Sequence, residues 1–325
     1  MSESFKHQSR EIKSPATEAE KFFEFKEWGL SGEWLKISTL EGKTVEGAHY
    51  KAKNSNGEVI IFHPGLPGDA VGQFEENHVD QLLKEGYDVF VARHNGLKNQ
   101  ENCEKLFHNR NRVDQNKKIS GEPLGWFDEP EASISYFAQQ DKPITLITHS
   151  FSGILAANSF IEMSKRGTDL NPAKKVKKWI MPSASIWDLR ENGVLDPDRN
   201  FTMENMKKYC EYLTKVYSIP SEENLSQLLK KIKETLNLID TQISSSIPES
   251  IEVIGVYPEH DKLVSPEIGI NFINKLPRGI ILRDNYMPTD KNEDAHDFKH
   301  AQASDLVRVI KMKTSKSKHV FDINK

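Results

Sequence analysis

Apolar and polar positions alternate at the start of the readable chain. In EWLKISTLEGKTVEGAHYKAK, residues 33–53, apolar side chains recur at alternate places on either side of a Glu-Gly turn, the period of an antiparallel hairpin. The pattern then changes. EVIIFHPG, residues 58–65, is a short unbroken apolar, β-branched run ending in Pro-Gly, as suits a strand buried on both faces of a parallel sheet. Helix-like and strand-like segments then take turns. A helix is predicted over 70–85, a strand over YDVFVARH (87–94), a helix over 129–140, a strand at ITLITHS (144–150), a helix from Phe151 and a strand at VKKWIMPSA (176–184). After an interval come the strand IEVIGVYPEHD (251–261), a helix over 266–276, the strand GIILRDN (279–285) and an amphipathic helix over 297–313. Such alternation predicts an α/β fold, a mostly parallel sheet flanked by helices.

The interval, residues 186–248, contains MENMKKYCEYLTKVY and EENLSQLLKKIKETLNLI. Both place apolar residues three to four apart, so both are predicted helices. Inserted between two strands, they would rise over the strand C-termini, where open α/β sheets bind ligands. The insertion is therefore read as a helical lid, with a surface elaboration as the alternative. The core is assigned to 31–185 and 249–314, with a loosely ordered arm over 1–30 and a polar tail over 315–325.

Composition narrows the picture. In 325 residues, 44 basic side chains face 48 acidic ones, a formal net charge of −4. That near-balance gives no electrostatic reason to expect nucleic acid or an anionic membrane as partner. No apolar run approaches the ~20 residues that span a bilayer, and the first residues lack the apolar core of a secretory signal. Two cysteines, Cys103 and Cys210, with no C-x-x-C, fit a reducing, cytoplasmic setting. No cofactor is indicated, and oligomeric state is not legible.

The candidate chemistry lies at the strand ends. A serine hydroxyl attacks well only when a base takes its proton, a carboxylate fixes that base, and N–H donors meet the developing oxyanion. Ser150 ends a strand and opens a helix, the placement of a nucleophile elbow; an ordinary N-cap is the competing reading. In the usual G-x-S-x-G turn glycines flank the serine, and here Thr148 and Ser152 stand in their places. Asp261, with Asp188 as rival, is the candidate acid, and His296, with His300 as rival, the candidate base. His296 and His300 are four apart, but no H-E-x-x-H and no third ligand accompany them, so no metal site is assigned. The turn in FHPGLPGDA, residues 62–70, can aim a backbone N–H at the site, that of Leu66 being the candidate, while Phe151 offers a second.

These pieces follow one another as loop, Ser, Asp, His, and in that order the chain resembles the α/β-hydrolase superfamily over about residues 33–313. IIFHPGLPG looks like the family's HG oxyanion segment with Pro64 inserted, GYDVFVARHNG is similar to its G-Y-x-V…D-x-R-G segment, and THSFSG resembles G-H-S-F-G-G. The resemblance implies an α/β-hydrolase fold with Ser150 as nucleophile, His296 as base, Asp261 as orienting acid, and Leu66 and Phe151 as oxyanion donors. It also implies an acyl-enzyme route for a small-molecule ester, thioester or amide, with acyl transfer or a non-catalytic binding role as alternatives. A serine at position 150 argues against the branches that attack through a carboxylate. Substrate contacts are sought in the loop 95–127, at Arg110, Arg112, Trp126 and Phe127, at Arg93 and His94 just before it, and in the lid at Trp187, Phe201, Tyr209 and Tyr212, with a solvated loop and the lid's own core as the alternative readings.

Overall fold

A computed structural model describes residues 17–27, 29–39, 41–65, 70–94, 123–167, 170–183, 222–258, 261, 266–284, 303–312 and 320–322. The expected hairpin is formed by β2 (Leu30–Thr39) and β3 (Thr44–Tyr50), paired antiparallel. Ahead of it, Thr17–Glu27 forms β1, antiparallel to β2. The sequence reading put these residues in a loosely ordered arm. Their charge hid the strand: an edge strand tolerates exposed Glu and Lys, and charge there discourages further pairing.

The parallel part consists of β4 (Val59–His63), β5 (Asp88–Arg93), β6 (Ile144–Thr148), β7 (Val176–Pro182), β8 (Glu252–Pro258) and β9 (Gly279–Asp284). Val320–Asp322, inside the expected polar tail, adds β10, parallel to β9. The ten strands lie in the order β1-β2-β3-β5-β4-β6-β7-β8-β9-β10. Pairing is antiparallel from β1 to β5 and parallel from β5 to β10.

Helix α1 covers 70–84, with a π turn, Glu75–Val79, between α-helical segments Ala70–Phe74 and Asp80–Lys84. A 3₁₀ turn, Pro123–Asp128, leads into α2 (Glu129–Gln139). Then come α3 (Ser152–Ser164), α4 (Glu222–Ser246), α5 (Pro266–Asn274) and α6 (Ala303–Lys311). Strand residues alternate between two cores. Val59 and Ile61 of β4 join Phe90, α2, α3, α4 and α5 on one face, while Ile60 and Phe62 join Val91, α1 and α6 on the other. Every residue of β4 and of β6 is buried, as the unbroken apolar runs predict.

Of the insertion 186–248, the structure describes α4, the second predicted helix; the first lies outside the described residues. Leu228, Ile232, Leu236, Ile239 and Ile243 of α4 are buried at three-to-four spacing, and α4 packs along α3. The two helices run the same way: Thr235 bonds Asn158 at 3.3 Å, and further along Ser164 bonds Ser246 at 3.2 Å. Among the described residues, no helix is long and apolar enough to cross a membrane.

Candidate active site

Strand β6 is central, between β4 and β7, and its C-terminal end carries Ser150. The backbone there turns sharply, since Ser150 adopts φ +51°. A non-glycine residue in the left-handed region costs on the order of 1–3 kcal/mol, and the surrounding structure must hold it there. Its neighbours do so. The Ser150 N–H donates to the Pro182 carbonyl at 3.3 Å, and the His149 N–H donates to the His63 carbonyl at 3.0 Å. The turn is thereby bonded to both flanking strands. Helix α3 begins two residues later, with the Gly153 N–H donating to the Ser150 carbonyl at 3.1 Å.

The substituted glycine positions fit this turn without crowding it, because each hydroxyl is used. Thr148 Oγ1 accepts from Trp179 Nε1 of β7 at 2.8 Å. The Ser152 hydroxyl donates to the Pro64 carbonyl, beyond the end of β4. Both residues are fully buried. One replacement ties the turn to β7 and the other ties it to the loop after β4.

That loop lies against Ser150. A Cβ added at Gly65 would stand 2.7 Å from Ser150 Cβ and 3.3 Å from Ser150 Oγ. Only a glycine permits this approach. The Pro64 carbonyl also accepts from His94 Nε2 at 2.9 Å, and His94 Nδ1 is 2.7 Å from Glu129 Oε2. His94 and Glu129 are both fully buried.

A second histidine sits beside this group. His63 Nε2 lies 2.9 Å from Ser133 Oγ, whose own hydrogen goes to the Pro130 carbonyl. The imidazole is therefore the donor and carries its hydrogen on Nε2. Burial, with a smaller repulsion from His94, lowers His63 to about 3, so it is neutral near pH 7.

Ser150, Phe151 and the His63–Pro64–Gly65 turn thus come together. A serine held at positive φ on a strand-to-helix turn above a central parallel strand has the geometry of a nucleophile elbow. The mostly parallel sheet flanked by helices, with this turn at the end of a central strand, is the fold that the resemblance implies.

Asp261 follows β8 on the same edge of the sheet, two strands from β6, with its N–H on the Pro258 carbonyl at 3.3 Å. Leu66 and His296 lie outside the described residues, as do Asp188, His300, Arg110, Arg112, Trp187, Phe201, Tyr209 and Tyr212. The substrate contacts sought at Arg93, His94, Trp126 and Phe127 are corrected. All four side chains are buried, with Arg93 paired to Glu75 at 2.7 Å and His94 to Glu129. Phe127 instead meets Phe151 edge to face, ring centroids 6.5 Å apart, and Lys231 of α4 stands 5.5 Å above it. Glu129 and Trp179 escaped the sequence reading. Glu129 reads as an ordinary first-turn acid of α2, and its partner is 35 residues away. Among the described residues, no group of three or more His, Cys, Asp or Glu is arranged to hold a metal ion.

No family model matches the chain, and no curated protein does. Several solved structures are similar to it. DcsB, in complex with a substrate analogue, gives a TM-score of 0.49 at 14% identity, over 86% of this chain and 97% of that one. The Pyrococcus furiosus esterase Pf2001 gives 0.48 at 14% identity, over 87% and 90% of the two chains. Rv0554 from Mycobacterium tuberculosis gives 0.48 at 13% identity, over 85% and 97%. At these identities, no likeness assigns a chemistry to this chain.

Proposed function

We propose that the protein is a serine hydrolase that cleaves an ester, thioester or amide of a small-molecule acyl substrate through an acyl-enzyme. The observation that carries this reading is Ser150 itself, held at φ +51° on the turn between β6 and α3. An N-cap serine has no need of this conformation, because caps sit in the extended region. Gly65 packed on Ser150 supports it further, since the approach keeps the loop expected to donate to an oxyanion beside the hydroxyl.

In this reading the Ser150 oxygen attacks the acyl carbonyl while His296 takes the hydroxyl proton, and Asp261 holds the imidazole in the productive tautomer. The N–H groups of Phe151 and Leu66 meet the oxyanion, the former aided by the positive end of α3. Loss of the leaving group, protonated by His296, gives the acyl-enzyme, and water activated by the same imidazole releases the acid. The segment 186–248 would supply the lid, with α4 as its part packed on the core along α3. A cytoplasmic setting belongs to the same reading and is supported by two cysteines without a C-x-x-C motif.

Labelling with a fluorophosphonate tests it. The native chain is expected to take up the probe at Ser150, and Ser150→Ala to take up none. Folded native protein that stays unlabelled and hydrolyses no p-nitrophenyl ester would overturn the reading.

A further inference from the structure

The Pro64 carbonyl receives two buried hydrogen bonds from side chains distant in sequence, one from Ser152 and one from His94. A carbonyl oxygen only accepts, so the hydrogen on His94 Nε2 is required. Glu129 Oε2 lies 2.7 Å from the other ring nitrogen, Nδ1, and so holds the ring with Nε2 aimed at the carbonyl. A partner on one ring nitrogen thus orients the other.

Two donors on one carbonyl fix the plane of the Pro64–Gly65 peptide. In a trans peptide the N–H points opposite to the carbonyl, so the direction of the Gly65 amide is fixed as well. Gly65 is the residue whose Cβ position falls 3.3 Å from Ser150 Oγ. Buried ion pairs are poor sources of stability compared with apolar packing of the same volume. Here the pair ends on a turn that packs against Ser150. Ser152 supplies the second tie from a position where the family pattern has glycine, which can make none.

We propose that Ser152 and His94, the latter backed by Glu129, are positioning residues that clamp the Pro64 carbonyl and hold the Pro64–Gly65 turn in register with Ser150. The proposal rests on the reading of Ser150 as nucleophile. Its consequence is specific: the clamp acts on the rate of attack and leaves substrate binding largely untouched.

The test compares the native full-length chain with Ser152→Ala, His94→Asn, Glu129→Ala and Glu129→Gln. Each is followed by the rate of fluorophosphonate labelling, by kcat and KM on p-nitrophenyl butyrate, and by thermal unfolding. Ser152→Ala and His94→Asn are expected to lower kcat and the labelling rate by roughly 10- to 100-fold, the scale of a slightly misplaced reacting group, with KM within about threefold of native. Glu129→Ala should fall with them. Glu129→Gln should recover most of the rate, because its amide can donate to Nδ1 and leave the hydrogen on Nε2. A merely structural role predicts that rate follows the folded fraction and that Glu129→Gln has no advantage in turnover. Native protein that labels while folded Ser152→Ala and His94→Asn react at its rate overturns the clamp alone. If one variant does not fold, the other decides. Native protein that fails to label removes the nucleophile reading, and the clamp with it.

Discussion

Arg93 and His94 are neighbours at the end of β5, and each leads to a buried carboxylate, yet the two pairs hold different things. Successive side chains leave a strand on opposite faces, so Arg93 reaches Glu75 in the π turn of α1 and His94 reaches Glu129 at the start of α2. The Arg93 cluster ties scaffold elements to one another. Glu75 Oε1 also accepts from Tyr50 at 2.8 Å, Arg93 donates to the Val91 carbonyl at 3.0 Å, and the guanidinium lies 5.4 Å from the Trp34 ring. Burial pushes the Glu75 carboxyl up, against the opposing pull of Arg93 and Tyr50. These partners belong to β2, β3, β5 and α1. The His94 cluster instead ends on a loop carbonyl beside Ser150. Buried polar pairs thus join scaffold to scaffold on one face and scaffold to the candidate site on the other.

Ser150→Ala gives the baseline against which that contrast is read. Ester hydrolysis is expected to fall by on the order of 10⁴-fold or more, with the unfolding midpoint almost unchanged, because alanine meets the same constraint at φ +51°. Next in size is the scaffold pair. Arg93→Ala leaves Glu75 buried without its cation and should cost about 3–5 kcal/mol in urea unfolding. Turnover per folded molecule should stay near native. A large loss of turnover in the folded fraction would erase the contrast. Gly65→Ala is its mirror image. The new Cβ would lie 2.7 Å from Ser150 Cβ, so kcat should drop by about 10²-fold with a smaller effect on stability.

The division between scaffold and site also marks what the sequence could disclose. Periodicity is local, and among the described residues it located the hairpin, the parallel strands and the helices. It missed β1 because charged residues are interleaved along that edge strand, and β10 because three residues carry no period and pair with β9, far back along the chain. Ser150 was legible as the last residue before a helix, whereas its positive φ is held by N–H groups of the turn that donate to the carbonyls of His63 and Pro182, residues far along the chain. Thr148 and Ser152 looked like damage to the elbow. Nothing near them in sequence announces Trp179 or Pro64, and only the folded sheet shows that both hydroxyls are employed. His94 misled in the other direction. A polar residue opening a long loop reads as exposed, and its burial is set by Glu129, Trp126 and the loop after β4.

Acid should sharpen the contrast through His63, which shares the face of His94. Its folded value is about 3 against an ordinary 6.5. The unfolded chain therefore binds the extra proton first, and the stability due to the buried neutral ring is complete above pH 6.5 and is lost as pH falls toward 3. The loss amounts to about 2 kcal/mol by pH 5. His49, lowered to about 4 mainly by burial, acts in the same direction. Urea midpoints at pH 7 and pH 5 measure the sum, and His63→Gln, which keeps a donor for Ser133, should reduce the difference. An unchanged difference in that variant would assign the acid sensitivity to His49 and to the carboxylates.

The smallest effect belongs to the tie on the other side of the elbow. Thr148→Val keeps the shape of the side chain and removes the acceptor of the Trp179 indole N–H, which is fully buried. Leaving one such donor unmet costs about 1–3 kcal/mol, and the β-branched replacement suits a strand and adds no strain. The Thr148 hydroxyl meets Trp179 of β7, so kcat should remain within about twofold of native if the loop side alone sets the rate. Ser152→Ala removes a hydroxyl of the same kind four residues on, and there the rate should fall. Equal losses of kcat in the two variants would mean that the elbow responds as one rigid unit to either tie. Unequal losses would locate the sensitivity on the side of β4, where the turn meets the Ser150 hydroxyl.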